Sequence, residues 1–280
     1  MTAPAVTVVI PTRDRVDALR RCLAALQPGD DPVLDVVVVD DGSDEPTAVA
    51  AVARQAGARL VRLEGRGPAA ARNAGVLEAR HGVVLFADDD CVPQPGWATS
   101  LAAAVAGGRG DVVGGLTVPA PGAPATVVAS EVITRAAEQR MGFVAASNLA
   151  AKREVLLRQP FDERFRDAAG EDREWCSRLA RLGLRIAREP AAVVWHAPAP
   201  GLASFWSRHR RYGRAAQRLA AANGRRLQGP GFYAGLVRAG AREGLTCGLL
   251  VAVAQLATLA GYVGEEAAQR VSGARGPVRP

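Results

Sequence analysis

Short β-branched runs alternate, over the first half of the chain, with stretches whose apolar residues recur every three or four positions. Val6–Ile10 is such a run; the polar turn "PTRDR" ends it, and Val16–Leu26 then repeats apolar residues at helical spacing. Asp35–Asp40 renews the strand signal and breaks at the turn cluster "DGSD". The same reading predicts helix over Thr47–Ala56, strand over Arg59–Leu63, helix over Ala69–Ala79, strand over Gly82–Ala87, helix over Trp97–Ala106 and strand over Asp111–Val118. Continuous apolar strands separated by helices predict an α/β fold, a parallel sheet covered on both faces. Such sheets bind ligands beyond the carboxyl ends of their strands, so Pro11–Asp14, Asp40–Asp44 and Asp88–Asp90 are expected to converge on one crevice.

Beyond "PAPGAPA" at Pro119–Ala125 the pattern weakens as far as Met141. It returns in "GEDREWCSRLARLGLRI", which predicts a helix to Leu182, and in the strand-like "AAVVWH". From Gly201 the pattern is helical, arginine-rich as far as Arg226 and uncharged over Gly244–Gly264; no internal repeat is present. The expected organisation is a first half over 1–118, a second half of the same domain over 119–200 and a helical extension over 201–280. Gly244–Gly264 is long enough as a helix to span a bilayer. Its Gly and Ala content, with Thr246, Gln255 and Thr258, favours packing against the domain or a dimer partner; contact with a membrane surface is the alternative.

Composition narrows the picture. A chain of 280 residues with 49% hydrophobic residues can bury a sizeable core. Cys22, Cys91, Cys176 and Cys247 are widely separated and form no CxxC pair, which argues against a zinc site or a disulfide framework. The N-terminus shows no basic start, apolar core and cleavage site, so the expectation is a cytoplasmic chain, at most associated with the inner face of the membrane. The formal net charge is +7, and Lys152 is the only lysine, so the basic balance is almost wholly arginine, a side chain suited to bidentate contact with phosphate.

Adjacent carboxylates at a strand end repel unless a cation neutralises them, and "VLFADDDC" ends in three. Oxygen ligands favour Mg²⁺ or Mn²⁺ over zinc, and such an ion usually completes its shell with water and phosphate, which points to a nucleotide di- or triphosphate. An exposed acidic turn is the plainer alternative. Glu171-Asp172 in "GEDREW" open a helix, where acids favour the helix dipole, and a carboxylate there can equally serve as general base for a hydroxyl.

"VTVVIPTRDR", "VVVVDDGSDE", "GPAAARNAGVLEARHGVVLFADDDCVPQPGW", "ASNLAAKREVL", "FDERF", "GEDREWCSRLARLGLRI" and "VVWH" occur in the order found in family 2 glycosyltransferases, and the chain resembles that family over roughly residues 5–200. The resemblance implies an inverting enzyme of GT-A fold: a Rossmann-like, mostly parallel sheet flanked by helices. It implies a DxD motif in Asp88-Asp89-Asp90, with Asp90 the metal ligand, Asp88 nearer the sugar or ribose and His196 beside the diphosphate or metal. Pro11, Arg13, Asp40 and Asp41 correspond to the nucleotide pocket, and Arg72 and Asn73 to a segment along the nucleotide-sugar. Asp172 corresponds to the catalytic base, supported by Glu171. Implied partners are a nucleoside-diphosphate sugar, Mg²⁺ or Mn²⁺ and a hydroxyl acceptor that is a glycan, a lipid-linked molecule or a small molecule. A homodimer and a peripheral membrane contact stay open, and no nucleic acid is expected.

Other residues carry weaker signals. Ser147 and Asn148 fall where relatives contact acceptor or donor sugar, and a turn would use them too; Trp175 reads as core, and Trp97 reads either way. "GRGPAA" at Gly65–Ala70 fits a dinucleotide fingerprint, weakly, because the fingerprint normally follows the first strand. A metal-dependent nucleotidyltransferase is the nearest enzymatic alternative, and membrane or RNA binding through "WSRHRRYGRAAQRLAAANGRR" the non-enzymatic one.

Overall fold

The computed structural model describes residues 5–26, 34–166, 169–197, 201–223 and 228–274. Arg225 and Arg226, at the end of the basic stretch, lie outside the described residues. The chain divides into two compact units: 1–121 with 138–198, and 122–137 with 199–280. The segment 122–137, expected with the second half of the sheet domain, therefore belongs with the C-terminal helices.

The first unit holds one eight-stranded sheet. In chain order it contains β1 (Val6–Thr12), α1 (Val16–Ala24), β2 (Leu34–Asp41), α2 (Pro46–Gln55), β3 (Arg59–Leu63), α3 (Pro68–Glu78), β4 (Val83–Ala87), β5 (Cys91–Pro93), α4 (Trp97–Ala106) and β6 (Val112–Pro119). After α5 (Ala125–Met141) come β7 (Asn148–Lys152), α6 (Arg153–Arg158), α7 (Glu171–Arg181) and β8 (Ile186–His196). The sheet order is β3-β2-β1-β4-β7-β6-β8-β5. Four of its seven pairings are parallel (β1 with β2 and β4, β2 with β3, β6 with β8), and three, β4–β7, β6–β7 and β5–β8, are antiparallel.

The parallel half follows from sequence. β1, β2 and β4 are apolar on both faces and buried, as strands sandwiched between helices must be. Leu19, Cys22 and Leu23 of α1 face the core from one side, and Gly75 of α3 lies so close to Val9 that a Cβ there would overlap its side chain. All four cysteines are free and buried.

The second unit is helical. It contains the N-terminal part of α5 with α8 (Leu202–Asn223), α9 (Pro230–Arg242) and α10 (Leu245–Ala274). Ala129, Phe205, Leu236, Cys247, Val251 and Ala254 form its buried cluster. Glycines set the approach of its helices: a Cβ on Gly213 would overlap the Thr258 carbonyl, and one on Gly261 the Arg210 carbonyl.

Candidate active site

The polar segments that follow β1, β2 and β4 meet beyond the strand ends, as the alternating pattern requires. Thr12 Oγ1 donates to Asp89 Oδ2 at 2.8 Å, and Asp14 N donates to Ser43 Oγ at 3.0 Å. Asp44 N donates to Asp14 Oδ1 at 2.8 Å. Gly42 makes the approach possible: its φ of +80° suits glycine, and a Cβ would strike Gly65 N.

Arg15 bridges two of the three acids of the triplet. Its Nη1 donates to Asp89 Oδ1 at 3.0 Å and to Asp90 Oδ2 at 3.1 Å. Burial pushes Asp89 up to about 7 against the pull of Arg15, and Asp90 and Asp88 add to the rise. Burial opposes the charge on Arg15 as well, but Asp89 and Asp90 outweigh it and hold its pKa above the ordinary value. Asp90 also meets His196: β5 pairs antiparallel with β8 in the register Cys91↔His196, which brings His196 Nε2 to 3.5 Å from Asp90 Oδ1. Ala197 N donates to the Asp90 carbonyl at 2.9 Å and closes the same turn.

Among the described residues, no group of three or more His, Cys, Asp or Glu could hold a metal ion alone. Mg²⁺ and Mn²⁺ do not need one, because one or two carboxylates suffice when substrate phosphate and water fill the shell. Asp90, with His196 beside it and the partly exposed Asp88 two residues away, fits a cation shared with a phosphate-bearing ligand.

The second acidic pair lies across a single guanidinium. Arg72 is buried on α3; its Nη2 donates to Asp88 Oδ1 and its Nη1 to Glu171 Oε1, both at 2.8 Å. Its carbon stands 5.8 Å over the Phe161 ring, and its Nε is buried without a hydrogen-bond partner. Gly170, left-handed at φ +88°, turns the chain so that Glu171 and Asp172 open α7. Burial pushes Glu171 up to about 7 against Arg72, with Asp172 adding to the rise. Burial likewise raises Asp172, opposed by Arg72 and by the Arg173 N–H that donates to its Oδ1 at 2.7 Å. Asp88 and Glu171, 83 positions apart in sequence, are thus held by one guanidinium.

Several of the remaining expected residues are tied to neighbouring backbone and side chains. Asp40 is buried, takes an ion pair from Arg62 and accepts from Ser43 N at 2.9 Å. Asp41 accepts from Arg66 N at 2.7 Å and Gly67 N at 2.8 Å, so the amides a dinucleotide fingerprint would offer to pyrophosphate already hold a carboxylate. Pro11 stands half-buried on β1, and Arg13 reaches outward with Nε 3.5 Å from Asp14. Asn73 clamps the "FDERF" segment: it donates to the Phe161 carbonyl at 2.9 Å and accepts from Phe161 N at 2.9 Å. Asn148 accepts from Trp97 Nε1 at 2.8 Å and donates to the Ala192 carbonyl, which makes Trp97 a core residue; Ser147 beside it is half-buried. Trp175 is core as well, stacked on Phe161 at 4.7 Å.

Thr12 lies within the expected cluster Pro11–Asp14, but Arg15 was not expected. The available signal was "PTRDR" itself, where the second arginine precedes the helix that turns it back over the crevice.

The family model described as Glycosyl transferase family 2 matches residues 7–165. A pre-mycofactocin glycosyltransferase of Mycobacterium tuberculosis is 30% identical over 232 residues, covering 77% of this chain and 47% of the relative. Glycosyltransferase AglE of Haloferax volcanii is 32% identical over 122 residues, covering 41% of this chain and 40% of its own. The chain thus spans about half the length of the curated relatives it matches. Among solved structures, the mannosyltransferase PcManGT of Pyrobaculum calidifontis, in complex with GDP-Man and Mn²⁺, superimposes with a TM-score of 0.60 at 24% identity, covering 97% of this chain and 79% of that one. Glucosyl-3-phosphoglycerate synthase of Mycobacterium tuberculosis, with Mn²⁺, UDP and phosphoglyceric acid, gives 0.59 at 21% identity, covering 81% of each chain. At these identities the structures show a shared fold.

Proposed function

This chain belongs to glycosyl transferase family 2, and from that membership we propose that it is an inverting glycosyltransferase that moves a sugar from a nucleoside-diphosphate sugar to an acceptor hydroxyl. One observation supports the reading: Arg72 joins the strand-tip acid Asp88 to Glu171, the neighbour of Asp172 at the start of α7, as a phosphate site and a base site in one crevice would require. The donor class follows from the family and from the GDP-Man and UDP bound in the two solved relatives.

Asp172 takes the proton of the acceptor hydroxyl as that oxygen forms a bond to the anomeric carbon. The bond from that carbon to the diphosphate oxygen breaks, and the nucleoside diphosphate leaves from the opposite face. A single displacement inverts the configuration, and no enzyme nucleophile is needed. Burial raises Asp172, which suits a base that must accept a proton near neutral pH. Glu171 and Asp88 hold Arg72 in place, and its charge would offset that of the departing diphosphate. Asp90, with Asp88 and His196, would hold Mg²⁺ or Mn²⁺, whose charge offsets that gathering on the leaving group.

Thermal-shift screening of nucleoside diphosphates and their sugars, with and without Mn²⁺, identifies the donor, because a ligand selective for the folded state raises its apparent stability. Asp172→Asn should keep the donor-induced shift and lose about 10²–10⁴-fold in transfer rate. Full turnover in that variant overturns the base assignment. Release of pyrophosphate in place of a nucleoside diphosphate would make the protein a nucleotidyltransferase.

A further inference from the structure

The helical unit buries an apolar cluster and, in addition, carries apolar side chains on the outer face of α10. The face of α10 that packs inward on α8 and α9 is made of Cys247, Gly248, Val251, Ala254, Ala257 and Gly261, mostly small residues. The opposite face carries Leu245, Leu249, Val253, Leu256, Leu259 and Val263, all exposed, at 79%, 62%, 37%, 62%, 50% and 53%. These six recur at three- and four-residue steps, so they form one apolar row about 27 Å long at 1.5 Å per residue. Small residues between helices and large apolar ones outside are the partition that helices adopt against lipid.

Charge points the same way. From the sequence, the helical unit carries thirteen arginines against four carboxylates, a net +9, whereas the whole chain is +7; the sheet-bearing unit is therefore −2. Arg210, Arg238 and Arg242 are exposed. A second copy would bring another +9 against this surface, and a nucleic acid would leave the apolar row uncovered.

We propose that the outward row of α10 lies in the interface of an anionic lipid bilayer, with the arginines of α8 and α9 against the headgroups. Leu245–Arg270 is long and apolar enough to cross a membrane. Its packing makes it lie in the interface plane. α8 runs beside it, locked by Gly213 against Thr258, by Gly261 against Arg210 and by the Arg218–Glu265 pair at 2.8 Å. To cross, α10 would have to draw Arg208, Arg210, Arg211, Arg214 and Arg218 into hydrocarbon, which is heavily penalised. An amphipathic helix lying in the interface buries its apolar face at the acyl boundary and keeps its cationic neighbours at the headgroups.

The test uses the full chain and does not depend on transfer activity. In flotation with vesicles, the protein should rise with equal parts phosphatidylcholine and phosphatidylglycerol. Each arginine near an anionic surface adds about fivefold, so three predict partitioning on the order of a hundredfold weaker on phosphatidylcholine alone. Leu249→Asp with Leu256→Asp, at two mostly exposed positions, should abolish flotation while leaving the circular dichroism spectrum unchanged. Leu256→Trp keeps the row apolar; beyond the wild-type signal, its emission should shift to the blue on vesicles and be quenched by brominated lipid. Flotation that survives the double aspartate variant, or added emission from Leu256→Trp that brominated lipid does not quench, overturns the proposal in favour of surface charge alone. Absence of flotation together with a dimer that dissociates in the double variant overturns it in favour of a second copy.

Discussion

In the sheet-bearing unit most of the bulkiest side chains lie inside: Trp97, Trp175, Phe86, Phe161 and Leu179 are fully buried, whereas Trp195, Leu77 and Leu182 stand scattered at the surface. In the helical unit five leucines and valines of α10 stand at least half exposed, and glycines and alanines fill the contacts between helices. Charges follow the opposite order. The sheet unit buries Arg72 between two carboxylates and Asp40 beneath Arg62, whereas the helical unit exposes Arg210, Arg238 and Arg242. Hydrophobicity alone therefore does not decide what is buried. In the first unit helices cover a sheet about one side-chain layer away, and large residues fill that layer. In the second, α8 and α10 come so close that glycines stand at the crossing points, and Phe205, Leu236 and Val251 fill the cluster beside them.

Removing a charge from each unit puts this contrast under the most severe strain. Arg72→Ala leaves Asp88 and Glu171 without their partner and should cost about 3–5 kcal/mol. Arg210→Ala, exposed, should stay within about 0.5 kcal/mol. Denaturant unfolding checks both, and equal effects would dissolve the contrast. Next come matched leucines. Leu179→Ala, from the core beside Trp175, should cost about 2–5 kcal/mol, and Leu249→Ala about 0.5 kcal/mol or less. A large loss at Leu249 would mean that its face is covered in solution.

A smaller effect tests the close helix contact. Gly213→Ala places a methyl group on the Thr258 carbonyl and should cost about 1–3 kcal/mol through overpacking. Nucleotide-sugar thermal shifts should persist in that variant, since Gly213 lies in the other unit. A variant as stable as the wild type would show that α8 can move away from α10 at no cost.

The smallest expected effect is that of pH on the metal-free protein. Glu171 titrates at about 7 when folded and near 4.3 when unfolded. Between those values the folded state holds the extra proton, so this contribution is present at acid pH and is lost as pH rises through 7. The melting temperature should fall from slightly acid to slightly alkaline solution, and Glu171→Gln should flatten the slope. Transfer activity should move the other way, because Asp172 acts deprotonated and burial raises its pKa. In the helical unit the hydrogen bond from Arg218 pulls Glu265 below its usual range, so Glu265→Gln should leave that slope unchanged.

Legibility followed range. β3 and α4 have the bounds their sequence patterns gave, Arg59–Leu63 and Trp97–Ala106, because both depend on local periodicity. β7 runs antiparallel between β4 and β6, and nothing local in "NLAAK" carries direction. β5 has three residues, too few for a period, yet its pairing is what brings His196 to Asp90. α5 was unread because its face is set by helices some eighty residues later. Within the crevice, the acids were visible as residue types, but Arg15 was not, because its role depends on the direction in which α1 leaves the sheet. Asp40 and Asp41 were visible as acids of the turn; the structure commits both to backbone and arginine partners within the frame.

Order along the chain was enough to establish the alternating strands and helices, the placement of three acidic or polar turns at strand ends, and the family, since each depends on residues close together in the chain. It took the folded arrangement to establish that one buried arginine ties Asp88 to Glu171, and that α10 turns its largest side chains outward. Both are matters of which surfaces meet. An arginine between two distant carboxylates and a glycine under a carbonyl gain their meaning from groups that the fold, and not the order of residues, brings within a few ångströms.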